Sequence, residues 1–298
     1  MRLSVLANPT ARSGTAVRAA ERAIGRLRER ASEIEVHSGA VRADATESLI
    51  RMRDDRPDAV VVIGGDGTVH LAVNALAGSG VPLAVIPVGT GNDFAKDLGI
   101  PRDPEVAADV VFDGRTTAVD LARVTTDDEQ RRWFATILAS GFDSRVNDRA
   151  NRMTWAQGRT RYNLAIAIEF ALLRPIDFAM SWIDEHGVEG RLDGPLMLAA
   201  VGNTTRYGGG VPICAGADPR DGLLDVTIVH PAGRARLLRV LAAAFKGRHG
   251  RFAEVETLRV REVRLDATGL TGYADGDALA PLPLSVEAAP GALTLRVP

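Results

Sequence analysis

The residues best placed to do chemistry form the run Gly64-Gly65-Asp66-Gly67-Thr68. The apolar, β-branched stretch Ala59-Val60-Val61-Val62-Ile63 feeds it, and Val69, Val73, Leu76 and Ala77 follow at helical spacing. Strand, glycine turn and helix in that order set backbone N–H groups and a helix N-terminus in front of an anion. The glycines let the main chain approach a phosphate with no Cβ in the way. Thr68 can cap the helix or touch that phosphate. Asp66 is a carboxylate where phosphate is expected, so it acts through Mg²⁺ or another cation, or it hydrogen-bonds a nucleotide hydroxyl. An Asp-Gly hairpin turn is the competing reading, and the helical flank argues against it.

Two further loops share this character. Val88-Gly89-Thr90-Gly91-Asn92-Asp93 follows the strand-like Leu83-Ala84-Val85-Ile86-Pro87, and Asn8-Pro9-Thr10-Ala11-Arg12-Ser13-Gly14 follows another apolar run. Neither a Walker Gly-x-x-x-x-Gly-Lys-[Ser/Thr] nor a Gly-x-Gly-x-x-Gly opening a first helix occurs. Positive charge for a triphosphate must then come from Arg12, Lys96 or bound Mg²⁺. Phosphoryl transfer to a hydroxyl also needs a base. Tyr273-Ala274-Asp275-Gly276-Asp277 sets two carboxylates around a glycine, and Asp218-Pro219-Arg220-Asp221-Gly222-Leu223 carries a second Asp-Gly pair. Each is equally what a turn between strands looks like.

The elements that must position these residues alternate in the first part of the chain. Strands are predicted over 3–7, 34–37, 59–63 and 83–87, with helices over about 15–30, around 45–52, after Thr68 and around 104–112. That alternation predicts an α/β domain with a parallel sheet, whose ligands sit beyond the carboxyl ends of the strands. The three loops should therefore converge on one edge. From residue 115 onward short strand-like runs take over, at 115–123, 133–140, 178–184, 197–201, 223–229, 258–265, 284–287 and 292–297. Turn signals such as Asp193-Gly194-Pro195 and Pro290-Gly291 separate them. They predict a mainly antiparallel β-sandwich as second domain. The boundary falls near 118, giving domains over 1–118 and 119–298, with the last strand free to return to the first.

Two helices interrupt the strands. Residues 162–173 are apolar nearly all round, which suits a core element or the wall of a cleft for acyl chains. Residues 234–246 set Leu237, Leu238, Leu241, Ala244 and Phe245 beside Arg234, Arg236, Arg239 and Lys246. That pattern suits a surface helix packed on its own domain, one able to present arginines to anionic lipid.

Composition narrows the classes. A net charge of −2 gives no electrostatic case for bulk nucleic-acid binding. The lone Cys214 excludes an intramolecular disulfide framework or a cysteine zinc cluster. No apolar run reaches the ~20 residues of a membrane span. The opening run ends at Asn8-Pro9, too short for a signal peptide. These features predict a cytoplasmic protein whose membrane contact is peripheral, at the inner face, and they leave room for a homodimer.

Taken together, Asn8-Pro9 with Gly14, Gly64-Gly65-Asp66-Gly67-Thr68 and Pro87-Val88-Gly89-Thr90-Gly91-Asn92-Asp93-Phe94-Ala95 resemble the motifs of the diacylglycerol kinase catalytic family. The similarity is closest to the soluble bacterial lipid kinases related to sphingosine kinases, and it spans the whole chain. It implies ATP contacts at Asn8, Pro9, Thr10, Ser38, Gly64, Gly65, Asp66, Gly67, Thr68, Val69, Thr90 and Asn92. It implies a base for the lipid hydroxyl at Asp277, with Asp66 beside the phosphates. It also implies a structural Mg²⁺ site from Asp218, Asp221 and the main-chain carbonyl of Leu223. Two departures stand out. Val69-His70-Leu71 replaces a hydrophobic residue, Asn and Glu, and His70 is expected on the helix surface. Asp277 replaces a glutamate and is one methylene shorter. The expected function is ATP- and Mg²⁺-dependent phosphorylation of a hydroxyl on diacylglycerol or a related membrane lipid. The alternatives are an NAD kinase-like enzyme acting on a soluble metabolite, since Gly-Gly-Asp-Gly-Thr is shared with NAD kinases, and a nucleotide- or lipid-binding regulator without turnover.

Overall fold

The structure, a computed structural model, describes residues 1–7, 14–38, 41–126, 129, 131–153 and 158–298. The chain divides into two compact units, Met1–Leu121 with Ala289–Pro298, and Ala122–Ala288.

The first unit is an α/β layer structure. Its strands β1 (Arg2–Ala7), β2 (Glu33–Ser38), β3 (Ala59–Gly64) and β4 (Leu83–Pro87) pair in parallel in the order β2-β1-β3-β4. The helices are α1 (Gly14–Arg30), α2 (Arg42–Asp55), α3 (Asp66–Leu76), α4 (Asp93–Asp97) and α5 (Pro104–Asp113). Every residue of β3 is buried, as expected of a central parallel strand made of valine and isoleucine. The register sets Ala7 opposite Ser38 and Ile63, and Gly64 opposite Pro87. The carboxyl ends of all four strands therefore lie at one edge of the sheet.

Helices α1 and α5 are laced by charge. Arg26 and Arg30 both reach Asp109 at 2.9 Å, Arg30 reaches Asp113 at 2.6 Å, and Arg22 reaches Glu105 at 3.1 Å. Hydrogen bonds from Arg26 and then Arg30 hold the Asp109 carboxyl below the usual carboxylate range. Asp103 caps α5, accepting from the N–H groups of Glu105 and Val106, with Pro104 at the first helical position.

In the second unit the strands pair antiparallel. Strand β5 (Arg115–Thr126) leads into it, and β6 (Arg131–Phe134) and β7 (Ile137–Gly141) follow. After helices α6 (Phe142–Arg152) and α7 (Gly158–Ala171) come β8 (Ile176–Asp184), β9 (Glu189–Leu196), β10 (Leu198–Gly202) and β11 (Leu224–Val229). Helix α8 (Arg234–Ala244) precedes β12 (Val255–Asp266), β13 (Thr271–Ala274), β14 (Asp277–Pro281) and β15 (Leu284–Val297). The pairing order is β14-β13-β7-β10-β11-β12-β15, with β8 beside β12 and β9 beside β8. The sandwich core joins Phe178 and Met180 of β8 to Val201, Val226, Ile228, Val263 and Leu265. On the other side of β10, Leu237, Val240 and Ala244 of α8 pack on Met197, Leu198 and Ile213. The far end of β15 lies in the first unit, parallel to β4, with Leu295 opposite Leu83.

Several elements differ from expectation. The strand expected over 133–140 is two strands, β6 and β7. Asp193-Gly194-Pro195 lies inside β9, which pairs with β8 along its whole length. An edge strand tolerates the proline because its second side needs no donor. Pro290-Gly291 does not split β15. Gly291 takes a φ of 63° and its N–H donates to Asp120 Oδ1 at 2.7 Å. Helix α6 was not expected at all. Among the described residues no helix is long and apolar enough to cross a membrane.

Candidate active site

Two glycine loops meet in the first unit, and the missing side chains let them touch. A Cβ on Gly89 would lie 2.5 Å from the Gly65 Cα; one on Gly64 would fall on the Thr68 hydroxyl; one on Gly91 would fall on Asp66 Oδ2. The N–H of Val88 donates to the Gly64 carbonyl at 3.0 Å. Asp66 completes the join: its Oδ2 accepts from the N–H of Asn92 and its Oδ1 from the N–H of Asp93, both at 2.7 Å. Asn92 sits in the left-handed region at φ 54°, and its side-chain amide donates to the Gly89 carbonyl at 2.7 Å. The carboxylate expected to act on phosphate through a cation thus braces one loop to the other. Lys96 pairs with Asp93 at 3.3 Å, one turn into α4.

The remaining expected nucleotide contacts distribute as follows. Gly65 is the N-cap of α3 with no side-chain cap, so Thr68 is not the cap; it is buried in the first turn, against Gly64. Gly67 is exposed and a Cβ there would meet nothing. Val69 is buried, and so is His70, contrary to the expected surface position. Asn74 donates to the His70 carbonyl at 2.9 Å on the same helix. Ser38 and Thr90 are exposed at the carboxyl edge. Asn8, Pro9, Thr10 and Arg12 lie outside the described residues. A depression of about 400 Å³ runs beside the second loop, walled by Thr15, Ala16 and Ala19 of α1, residues 87–92, Lys96 and Arg102. Arg102 was not singled out from sequence. Its one signal is its place between Pro101 and the Asp103 cap.

In the second unit Asp275-Gly276 forms the two-residue turn of the β13–β14 hairpin. Both residues have positive φ, 52° and 89°, and Ala274 pairs with Asp277 across it. Asp275 accepts from the N–H groups of Ala135 and Thr136 and from the Thr136 hydroxyl, at 3.1, 2.9 and 2.5 Å. It fixes the link between β6 and β7. Asp277 opens β14, half-buried at the far side of the turn.

The second Asp-Gly pair is a local turn before β11. Asp221 Oδ1 accepts from the Leu223 N–H at 3.0 Å, and its Oδ2 pairs with Arg259 at 2.5 Å. The Asp218 carbonyl accepts from Arg220. Nearby Asp225 is pushed up to about 6, first by burial and then by Asp221 and Glu185, against the pull of Arg259. Carboxylates crowded against each other suit a hard cation. Here Arg259 supplies the countercharge, and no group of three His, Cys, Asp or Glu side chains converges among the described residues.

A further feature was not found from sequence. Helix α6 is capped at its N-terminus by Gly141, whose φ of 110° and approach to Leu198 exclude a side chain. Its second residue, Asp143, is buried and faces a cavity of about 300 Å³. The Tyr207 hydroxyl donates to Asp143 Oδ2 at 3.2 Å, and the Ser144 N–H donates to Oδ1 at 2.9 Å. Burial pushes the Asp143 carboxyl up to about 7. Apolar walls come from Val146, Ile166, Leu241 and Phe245, and Gly208-Gly209-Gly210 forms one rim. The signal available was Gly-Phe-Asp-Ser directly after a strand.

Residues 2–124 match the model of the diacylglycerol kinase catalytic domain, and residues 136–297 match the YegS C-terminal NAD kinase beta sandwich-like domain. A diacylglycerol kinase of Mycobacterium tuberculosis is 44% identical over 298 residues, covering 100% of this chain and 95% of that protein. The chain belongs to the diacylglycerol kinase family. A second family member, the diacylglycerol kinase of Bacillus subtilis, is 28% identical over 253 residues, 83% of this chain and 80% of its own length. The crystal structure of a Bacillus anthracis diacylglycerol kinase superposes with a TM-score of 0.74 at 20% identity, covering 100% of this chain and 97% of that one. At that identity the likeness is one of fold. The family assignment agrees with the resemblance carried by the glycine loops, and it makes this chain a kinase with a catalytic domain of that type.

Proposed function

We propose that this protein is an ATP-dependent lipid kinase that phosphorylates a hydroxyl of diacylglycerol or a related membrane lipid, working peripherally at the inner membrane face. The observation that carries the lipid half of this reading is the cavity of the second unit. Its walls are mainly apolar, and its buried polar group is the Asp143–Tyr207 pair, with Tyr162 and Asn163 also in the lining. A soluble dinucleotide has little use for such walls, whereas an acyl-bearing alcohol buries its chains there and offers hydroxyls to the pair. The names of the relatives point the same way.

The nucleotide half rests on the braced loops. Gly65 and Gly67 at the start of α3 leave backbone N–H groups and a helix N-terminus open to a phosphate. Lys96 and Arg102 add positive charge along the neighbouring depression. Magnesium bound with the nucleotide supplies charge neutralisation for the transferred group. Asp218, Asp221 and the Leu223 carbonyl would hold a second, structural magnesium only if it displaced Arg259 from Asp221. The base for the lipid hydroxyl is Asp277, whose place at the end of a two-residue turn fixes its backbone.

The test is incubation with labelled ATP and a total lipid extract, with NAD as a parallel acceptor. Label in a hydroxyl-bearing lipid and none in NAD is the expected result. Label in NAD, or nucleotide binding with no transfer to any lipid, would overturn the proposal.

A further inference from the structure

The segment 231–253 contains six lysines and arginines and no aspartate or glutamate, in a chain whose net charge is −2. Helix α8 and the turn after it form most of this segment. Leu237, Val240, Ala243 and Ala244 face inward and are buried. The opposite face is not polar. Ala235, Leu238, Ala242 and Phe245 recur at helical spacing and all are exposed, Leu238 at 54% and Phe245 at 51%. Arg234, Arg239 and Lys246 flank that stripe and Arg248 and Arg251 continue it, all exposed. The helix therefore has two apolar faces, one spent on its own unit and one turned outward within a cationic frame. A water-facing helix normally shows the reverse pattern.

The outer face is continuous with the cavity of the second unit. Leu241 and Phe245 line that cavity, and the Arg234 guanidinium donates at 3.1 Å to the carbonyl of Ala171, the last residue of α7. Leu172, directly after α7, is itself 56% exposed. The outward apolar face of α8 thus reaches the cavity at Phe245, and the cavity wall continues inward through Leu241, Ile166 and Val146.

We infer that α8 is a bilayer-docking helix: Leu238 and Phe245 enter the acyl region of an anionic phospholipid surface, and the surrounding arginines and Lys246 bind its headgroups, which brings the cavity mouth to the membrane. The inference builds on the lipid-kinase reading by naming the surface that meets the membrane. Amphipathic helices with a basic frame and apolar tips bind through both terms together. The charge selects an anionic surface, and the exposed leucine and phenylalanine distinguish insertion from mere electrostatic adsorption.

The test reads membrane binding without turnover, so it can fail while the kinase reading stands, and the reverse. The full chain is sedimented with vesicles of phosphatidylcholine alone or with about 30% phosphatidylglycerol, at low and high salt. Binding to the anionic vesicles that falls with salt is expected. Arg239→Glu with Lys246→Glu should lower the partition coefficient by at least about fivefold per charge. Leu238→Ala with Phe245→Ala should lower it about tenfold or more, and this loss should persist at low salt. Arg51→Glu with Arg191→Glu changes the net charge equally on other surfaces and should bind like the parent. Circular dichroism melts of all variants should coincide, since the substituted side chains are exposed. Three outcomes would overturn the inference: no binding of the parent to anionic vesicles, equal losses for both charge-reversed pairs, or a self-associated parent that Leu238→Ala with Phe245→Ala turns monomeric without changing vesicle binding.

Discussion

Asp66→Ala should loosen the second glycine loop, and the loss should be measurable as stability. The wild-type carboxylate accepts two backbone N–H bonds at 2.7 Å, from Asn92 and Asp93, across 26 and 27 residues of chain. A hydrogen bond to a charged group contributes about 1.5–3 kcal/mol. Asp66 is half-exposed, so the low end applies and the pair amounts to about 3 kcal/mol. If the first unit melts on its own, its Tm should fall by roughly 6–12 °C. Asp66→Asn keeps one acceptor and sets an NH₂ against the other N–H, so it should lose half of that or more.

Gly91→Ala supplies an independent handle on the same brace. Its Cβ would fall on Asp66 Oδ2, so the carboxylate must move away and give up the Asn92 bond. With Asp66 already truncated the clash disappears. The double variant should therefore be less destabilised than the sum of the singles, by about 1–2 kcal/mol. All three tryptophans fall in residues 122–288, so fluorescence is the wrong probe for this. Hydrogen exchange of peptides spanning residues 87–98, with circular dichroism melts beside it, reads the loop directly. Strict additivity, or an Asp66→Ala melt within about 0.5 kcal/mol of wild type, would refute the bracing role.

Burial pushes Asp143 up to about 7, so the folded chain keeps a proton that the unfolded chain releases near the ordinary carboxylate value. That contribution is full below pH ~4 and lost as pH rises through about 7, and across the window it amounts to ~4 kcal/mol. Asp143→Asn should flatten this arm of the stability curve in urea titrations across pH, and parallel curves for the two proteins would contradict the assignment. Burial also pushes the Cys214 thiol up to about 12, so an aromatic disulfide reagent at pH ~8 should leave the native protein unlabelled and react only on unfolding. Prompt labelling of the native chain would show the site to be open. In a lipid kinase assay Asp277→Asn should lower kcat by about 10²–10⁴, whereas Asp277→Glu should keep most of it. Equal losses in the two would remove Asp277 as the base.

The alternation of strands and helices was legible in the first unit because β1, β3 and β4 are short, mainly apolar runs closed by a glycine or proline, while β2, Glu-Ile-Glu-Val-His-Ser, shows only apolar–polar alternation. Residues 59–64 needed no tertiary information: four β-branched residues before Gly64 are a central parallel strand in almost any setting. The texture of the second unit was legible too, but its details were not. Strand β9 reads Glu-Gly-Arg-Leu-Asp-Gly-Pro-Leu, which locally is a turn. Only its pairing with β8 makes it a strand, and Gly190 matters because the Trp182 ring lies where its Cβ would be. Helix α6 was hidden in the same way. Its boundary is set by the approach of Gly141 to Leu198, 57 residues on.

The Asp-Gly pairs make the limit plain. Three Asp-Gly pairs supply candidate site residues, and the chain uses them in three ways. At Asp66-Gly67 it opens a helix, because Gly65 caps and Val69, Val73 and Leu76 go on to bury an apolar face. At Asp275-Gly276 it closes a hairpin, because two pairing segments flank it. At Asp221-Gly222 the carboxylate folds back on the Leu223 N–H and leads into β11. Flanking periodicity separates the first case from the other two, and the sequence supplies that. Where each carboxylate finds its donors is decided elsewhere: Asn92 and Asp93 for Asp66, Ala135 and Thr136 for Asp275, Arg259 for Asp221. Those partners lie 26 to 140 residues away, beyond the reach of any local pattern. Residue type and spacing therefore fix which loops can hold a phosphate, while the work of each aspartate in those loops is a property of the fold.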